Sequence, residues 1–167
     1  MPAAAPLLDK PWGFLQTLVM NVREAHRFFA ADCFNRSWDL IDRDDRTREE
    51  DEEMLFASMA SHYHWKQRDD YDETKASIAY WHTSRIYSLL GDGRSARDYA
   101  ERCLAISKVD TVPVFYEAYA HEALARSQHV MGNEDLKDEA VAKVRELLAG
   151  IDRKEERDAI EADLKSL

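Results

Sequence analysis

Only nine of the 167 residues are glycine or proline, and three of those, Pro2, Pro6 and Pro11, fall within the first eleven positions. So few breakers leave little choice but long helices, because glycine and proline are the residues that end them. No run of alternating β-branched residues is long enough to make a strand, so the chain reads as all-α. With 45% hydrophobic and 34% charged residues it can enclose a core, which excludes a disordered or collagen-like polymer. The length suits one domain, taken as residues 21–167 behind an N-terminal arm at 1–20 whose prolines favour an extended path.

Helix boundaries follow from local chemistry. A first helix over 24–42 carries Ala25, Phe28, Phe29, Cys33, Trp38 and Ile41 on a broad face expected to be buried. Thr47 and Glu50 form a capping box, and the acidic run Glu49 to Glu53 sits where the helix macrodipole favours carboxylates. A third helix is capped by Asp70 with Glu73 and stopped by Gly91. A fourth runs from Arg94 to Lys108 with Ala96, Ala100 and Cys103 inward. Pro113 opens a fifth that ends near Gly132. A sixth starts near Glu134, with Leu136, Ala140, Val144, Leu147 and Ile151 as its stripe. The last is expected to use Asp152 and Glu155 as a capping pair.

The segment Tyr80, Thr83, Ser84, Tyr87, Gly91, Ala96, Ala100, Cys103 resembles the tetratricopeptide (TPR) pattern of large, small and glycine positions, with Thr83 where a leucine is usual. A second segment, His121 through Leu124, Ala125 and Gln128 to Gly132, resembles it less fully. Gly91 and Gly132 are 41 positions apart, against a TPR period of roughly 34 residues. Small residues at Ser84, Ala96, Ala100 and Ala125 allow two helices to cross closely. The resemblance implies a TPR-like right-handed α-solenoid of about three stacked antiparallel hairpins plus a C-terminal capping helix. It also implies a concave groove lined by Ile78, Trp81, Arg85, Ser88 and Leu89 and by Tyr119, Glu122, Arg126, His129 and Val130. Within that groove Trp81, Arg85, Ser88, Tyr119, Glu122, Arg126 and His129 are the candidate binding residues, aromatic faces beside guanidinium forks being common in binding hot spots.

The function implied is a protein or peptide interaction module, with a second copy of the chain among its candidate partners and no reaction expected. The alternative is a helical small-molecule or metal-binding protein, or an enzyme, built around a histidine-containing pocket from His62, Glu117, His121 or His129. His62 and His64, two apart, diverge on a helix and cannot chelate one ion, so neither a metal nor another cofactor is expected. His26 and His82 are expected to be half-buried, with backbone or carboxylate partners. A formal net charge of −10 without a basic run disfavours nucleic acid. There is no apolar run of membrane-spanning length, and Cys33 and Cys103 lie too far apart for a paired-cysteine motif, so a cytoplasmic setting is expected. Gly91-Asp92-Gly93-Arg94-Ser95-Ala96 fits a dinucleotide-binding string but joins two helices, and no Gly-x-Ser-x-Gly motif or phosphate-binding loop is present.

Overall fold

The computed structural model describes residues 21–167, so the arm at 1–20 lies outside the described residues. The described residues form seven helices and no strand: α1 (Val22–Ile41), α2 (Arg48–Lys66), α3 (Glu73–Leu89), α4 (Gly93–Ser107), α5 (Val114–Val130), α6 (Glu134–Leu148) and α7 (Lys154–Leu164). Helices α1 and α2, α3 and α4, and α5 and α6 pair as antiparallel hairpins, which stack through α2 on α3 and through α5 on both α3 and α4; α7 closes the end against α5. None of the described helices is long and apolar enough to cross a membrane.

Local chemistry sets most boundaries. Both bonds of the capping box form: the Glu50 amide donates to Thr47 Oγ1, and the Thr47 amide donates to the Glu50 carboxylate. Gly91 and Gly132 adopt φ of +77° and +73°. They reverse the chain alike, with the Asp92 amide reaching back to the Tyr87 carbonyl and the Asn133 amide to the Gln128 carbonyl. Two expected caps differ. The cap of α3 is Asp72, which accepts from the Lys75 amide, while Asp70 instead pairs with Arg68. Helix α7 follows Arg153 without a side-chain cap, so the Asp152 and Glu155 pair is not made.

Small residues bring the hairpins close. Ser84 Oγ donates to the Ala96 carbonyl at 2.7 Å where α3 crosses α4, and Ser61 Oγ donates to the Ala30 carbonyl at 2.8 Å where α2 crosses α1. Each hydroxyl satisfies itself on a neighbouring backbone while taking little volume. The buried stripe of α1 is Ala30, Ser37 and Leu40, and Phe28 is 55% exposed. Of the expected face, Ala25, Phe29, Cys33, Trp38 and Ile41 are half-buried and Phe28 is not, while the closest contact of α1 falls to small residues. Of the stripe expected on α6, Val144 and Ile151 are buried and Leu147 packs beside them, while Leu136 is exposed.

Gly93 marks another close approach. A Cβ there would lie 2.5 Å from Met131 Cγ and 3.2 Å from both the Ser127 carbonyl oxygen and Val130 Cγ1. Alanine ordinarily favours a helix over glycine, but here the backbone oxygen cannot swing aside. Gly93→Ala is expected to destabilise the fold by about 1–3 kcal/mol, read as a lower thermal midpoint. An unchanged or higher midpoint would mean that α4 and α5 separate freely at this point.

Candidate active site

Helices α1, α2 and α3 border a half-open chamber of about 310 Å³ whose lining includes Phe34, Ser58, Ser61, His62, Trp65, Lys75, Ile78, Ala79 and His82. Its walls are almost wholly apolar, and of the polar lining residues Ser58 meets His82. This imidazole is 1% exposed, stacked on Trp38 at 5.2 Å between ring centroids and against Phe34 at 4.7 Å. Ser37 Oγ lies 3.2 Å from His82 Nε2, and Ser58 Oγ lies 3.3 Å from Nδ1.

The shorter of the two Ser37 contacts favours one tautomer. Ser37 Oγ donates its proton to the Phe34 carbonyl at 2.7 Å, so toward His82 it accepts, and Nε2 carries the hydrogen. Nδ1 is then a lone pair facing the Ser58 hydroxyl. Thr83 Oγ1 donates to the Ala79 carbonyl at 2.9 Å and lies 3.0 Å from Ser58 Oγ. Ser58 therefore holds one proton between two acceptors, His82 Nδ1 and Thr83 Oγ1. A hydroxyl beside an imidazole lone pair, with the imidazole oriented from its other nitrogen, is the arrangement of a nucleophile, a base and an orienting group.

Burial, reinforced by the nearby Arg85 charge, pushes the His82 pKa down to about 4. Neutral His82 is thus the resting form, as a base requires. The same shift has a cost for stability. Between the ordinary histidine pKa of about 6.5 and about 4, the unfolded chain takes up a proton that folded His82 refuses, so stability is full above 6.5 and drains as the pH falls toward 4. The expected loss is about 3 kcal/mol. Burial also lowers His62, His64 and His121, with the same sign. Urea midpoints measured from pH 7 to 4.5 should fall steadily for the native chain and less steeply for His82→Gln; parallel curves would contradict the burial of His82.

A family model described as "Acyl transferase" matches residues 19–157, a span that holds the whole chamber. The chain belongs to the acyl transferase family. No curated protein matches it, and no solved structure does. The match overturns the tetratricopeptide assignment and the non-catalytic interaction module drawn from it. Short residues at Ser84, Ala96 and Ala100 report how closely two helices cross, which any tight helical hairpin demands, so the pattern identifies a geometry and not an ancestry.

The residues expected to line a groove are drawn together around α7. The buried Glu122 carboxylate accepts from Arg126 Nε at 2.8 Å and Nη2 at 2.6 Å on one oxygen, and from Trp81 Nε1 at 3.0 Å on the other. Arg85 donates to Asp163 Oδ1 at 3.0 Å and Tyr119 to Asp163 Oδ2 at 3.1 Å. Arg126 also reaches the Asp163 carbonyl and Ser166 Oγ. Ser88 is buried apart from these, its Oγ without a partner among the described residues. His129 is more exposed and lies 3.3 Å from Glu134.

Of the histidines weighed for a pocket, His62 does line the chamber, with Nε2 3.0 Å from the Tyr71 hydroxyl. Among the described residues no three His, Cys, Asp or Glu side chains are placed to hold a metal. His82 has hydroxyl partners where backbone or carboxylate ones were expected. Sequence reasoning missed Ser37, Ser58 and Thr83. The available signal was the presence of hydroxyl residues at positions that helical spacing turns inward, where Ala or Leu would serve packing alone.

Proposed function

We propose that this chain transfers acyl groups through Ser58, with His82 as general base and the α1–α2–α3 chamber holding the acyl chain. The observation that carries the reading is the Ser58 hydroxyl facing the His82 lone pair on the wall of an apolar cavity, and the family match supports it. Ser58 Oγ bonds to the acyl carbonyl carbon while its proton passes to His82 Nδ1. Collapse of the adduct breaks the bond to the leaving group, which takes that proton from His82. In the second half an acceptor hydroxyl or water attacks the Ser58 ester, His82 takes its proton, and Ser58 departs protonated. Lys75 and His62 line the same chamber, the Lys75 ammonium paired with Asp72 at 2.7 Å and His62 Nε2 3.0 Å from the Tyr71 hydroxyl. Among the described residues His82 has no carboxylate partner, and Ser37 with the Trp38 and Phe34 rings holds its orientation. The free thiols of Cys33 and Cys103 support a reducing, cytoplasmic setting.

The test is covalent trapping. The full chain is incubated with a p-nitrophenyl alkanoate, quenched in acid and digested. A mass increase of one acyl group on the peptide carrying Ser58, absent in Ser58→Ala, is the expected result. An adduct elsewhere, or release of nitrophenol that survives Ser58→Ala at the native rate, would overturn the assignment.

A further inference from the structure

Two histidines meet at the open end of the first hairpin. One turn beyond the crossing of Ser61 and Ala30, His26 of α1 and His64 of α2 stand with Nδ1 2.8 Å from Nδ1. Their ring centroids are 5.0 Å apart and their planes are tilted by 50°, so each ring turns an edge toward the other and the two do not stack. The partner of His26 is thus another imidazole, where a backbone or carboxylate group was expected. Two imidazole nitrogens this close need one proton between them: one Nδ1 donates and the other accepts through its lone pair. A histidine cation carries a hydrogen on both nitrogens, so the contact survives one protonation and not two. With both rings charged, two N–H groups would face each other across 2.8 Å.

The surroundings give the second proton no counter-charge. Among the described residues the one imidazole paired with a carboxylate is that of His129. At this end of the hairpin Arg23 pairs with Asp69 and Arg68 with Asp70, which leaves Glu24 and Arg27 of opposite sign on α1 and Lys66 on α2. Burial first, and then His26, lower the His64 pKa below the ordinary histidine value. The stability that His64 contributes is therefore full above about 6.5 and is lost as the pH falls. Besides the rings of Phe29 and Tyr63, which flank the pair, the first turns of α1 are tied to α2 by the Arg23 and Asp69 pair. At 75% and 73% exposure that pair contributes little. The hydrogen bond from Ser61 to the Ala30 carbonyl, by contrast, holds no titrating group and keeps the next turn closed at any pH.

We propose that His26 and His64 form a proton-operated latch, which holds the first turns of α1 on α2 while at most one of the two rings is charged and releases them when both are. The latch stands on the contact between the two rings and is independent of the acyl chemistry assigned to Ser58.

Imidazole NMR titration of the full chain from pH 8 to 4 tests the coupling, with His26→Gln and His64→Gln as the comparison. Glutamine does not titrate, and its carbonyl oxygen can accept from a protonated histidine, so each variant keeps a contact and removes the conflict. In the native chain the two rings should titrate in two steps, the second at least about one pH unit below the single step of the histidine left in either variant. Amide hydrogen exchange, corrected for the intrinsic effect of pH, reads the release. Because opening takes up one proton, protection of the Ala25 to Phe29 amides should fall about tenfold for each pH unit below that single step, while the α5 amides in the same spectra lose less. In His26→Gln the Ala25 to Phe29 amides should track α5. Should His26→Gln fail to fold, His64→Gln supplies the same comparison. Rings that titrate independently, with the His64 step unmoved by His26→Gln, would overturn the latch. So would a native protection profile in which Ala25 to Phe29 and α5 change together.

Discussion

His82→Gln is expected to lower the rate of acyl transfer by about 10²–10⁴-fold, the range that a positioned general base supplies, with little change in the concentration of acyl substrate needed for half-saturation. Glutamine fills much of the same space and can still bond to Ser37 and Ser58, but its amide cannot take the Ser58 proton. A substitution that only loosened the chamber would weaken substrate binding and turnover together, which separates a base from a packing residue. The pH profile adds a second signature. Because burial pushes His82 down to about 4, the rate should stay level from pH 8 to about 5, where an exposed histidine would already have cost most of the activity. That low pKa has a mechanistic cost as well: the imidazolium formed during attack is itself buried, and among the described residues no carboxylate touches it. The wild-type rate is therefore expected to be modest beside that of enzymes whose histidine is backed by an acid. A rate that falls below pH 6.5, or a glutamine variant with native turnover, would place the base elsewhere.

How much of this could be read from the chain depends on the range of each interaction. The Thr47 and Glu50 cap, the glycine reversals at Gly91 and Gly132 and the close crossing at Ser84 and Ala96 are made by residues within a turn or one hairpin of each other, so residue type and spacing suffice to find them. Asp70 and Asp72 show the limit of even that rule. Both fit as caps two positions apart, and the choice falls to Asp72 because Asp70 pairs with Arg68. The site is different in kind. Ser37, Ser58 and His82 come from three helices, and nothing periodic in one helix records which residue of another it faces. The groove candidates were legible as a group, since Trp81, Arg85, Tyr119, Glu122 and Arg126 do converge. Their partner was not. Asp163 lies on α7, 37 residues beyond Arg126, and only the closure of the stack by that helix brings it to Arg85 and Tyr119.

That convergence predicts the largest change in stability. Arg126→Ala is expected to cost about 3–5 kcal/mol, the range for removing one partner of a buried ion pair. The loss comes less from the bond than from what is left behind. Glu122 is 0% exposed, and without Arg126 its carboxylate keeps only the Trp81 indole N–H at 3.0 Å and Arg85 at 4.0 Å. The same guanidinium also holds the Asp163 carbonyl and Ser166 Oγ, so α7 loses one of its anchors to α5. An exposed pair gives the contrast. Arg97 and Glu101, also four residues apart, are 44% and 61% exposed, and Arg97→Ala should change stability by about 0.5 kcal/mol or less. Urea unfolding of the single variants and of Arg126→Ala with Glu122→Ala completes the cycle. The double variant should be less destabilised than the sum of the two singles, because removing the carboxylate removes the charge that Arg126→Ala strands. An additive double variant, or an Arg126→Ala cost no larger than that of Arg97→Ala, would mean that water reaches Glu122. The α7 closure, and with it the fixed orientation of Trp81 and Tyr119, would then not be what sets this end of the stack.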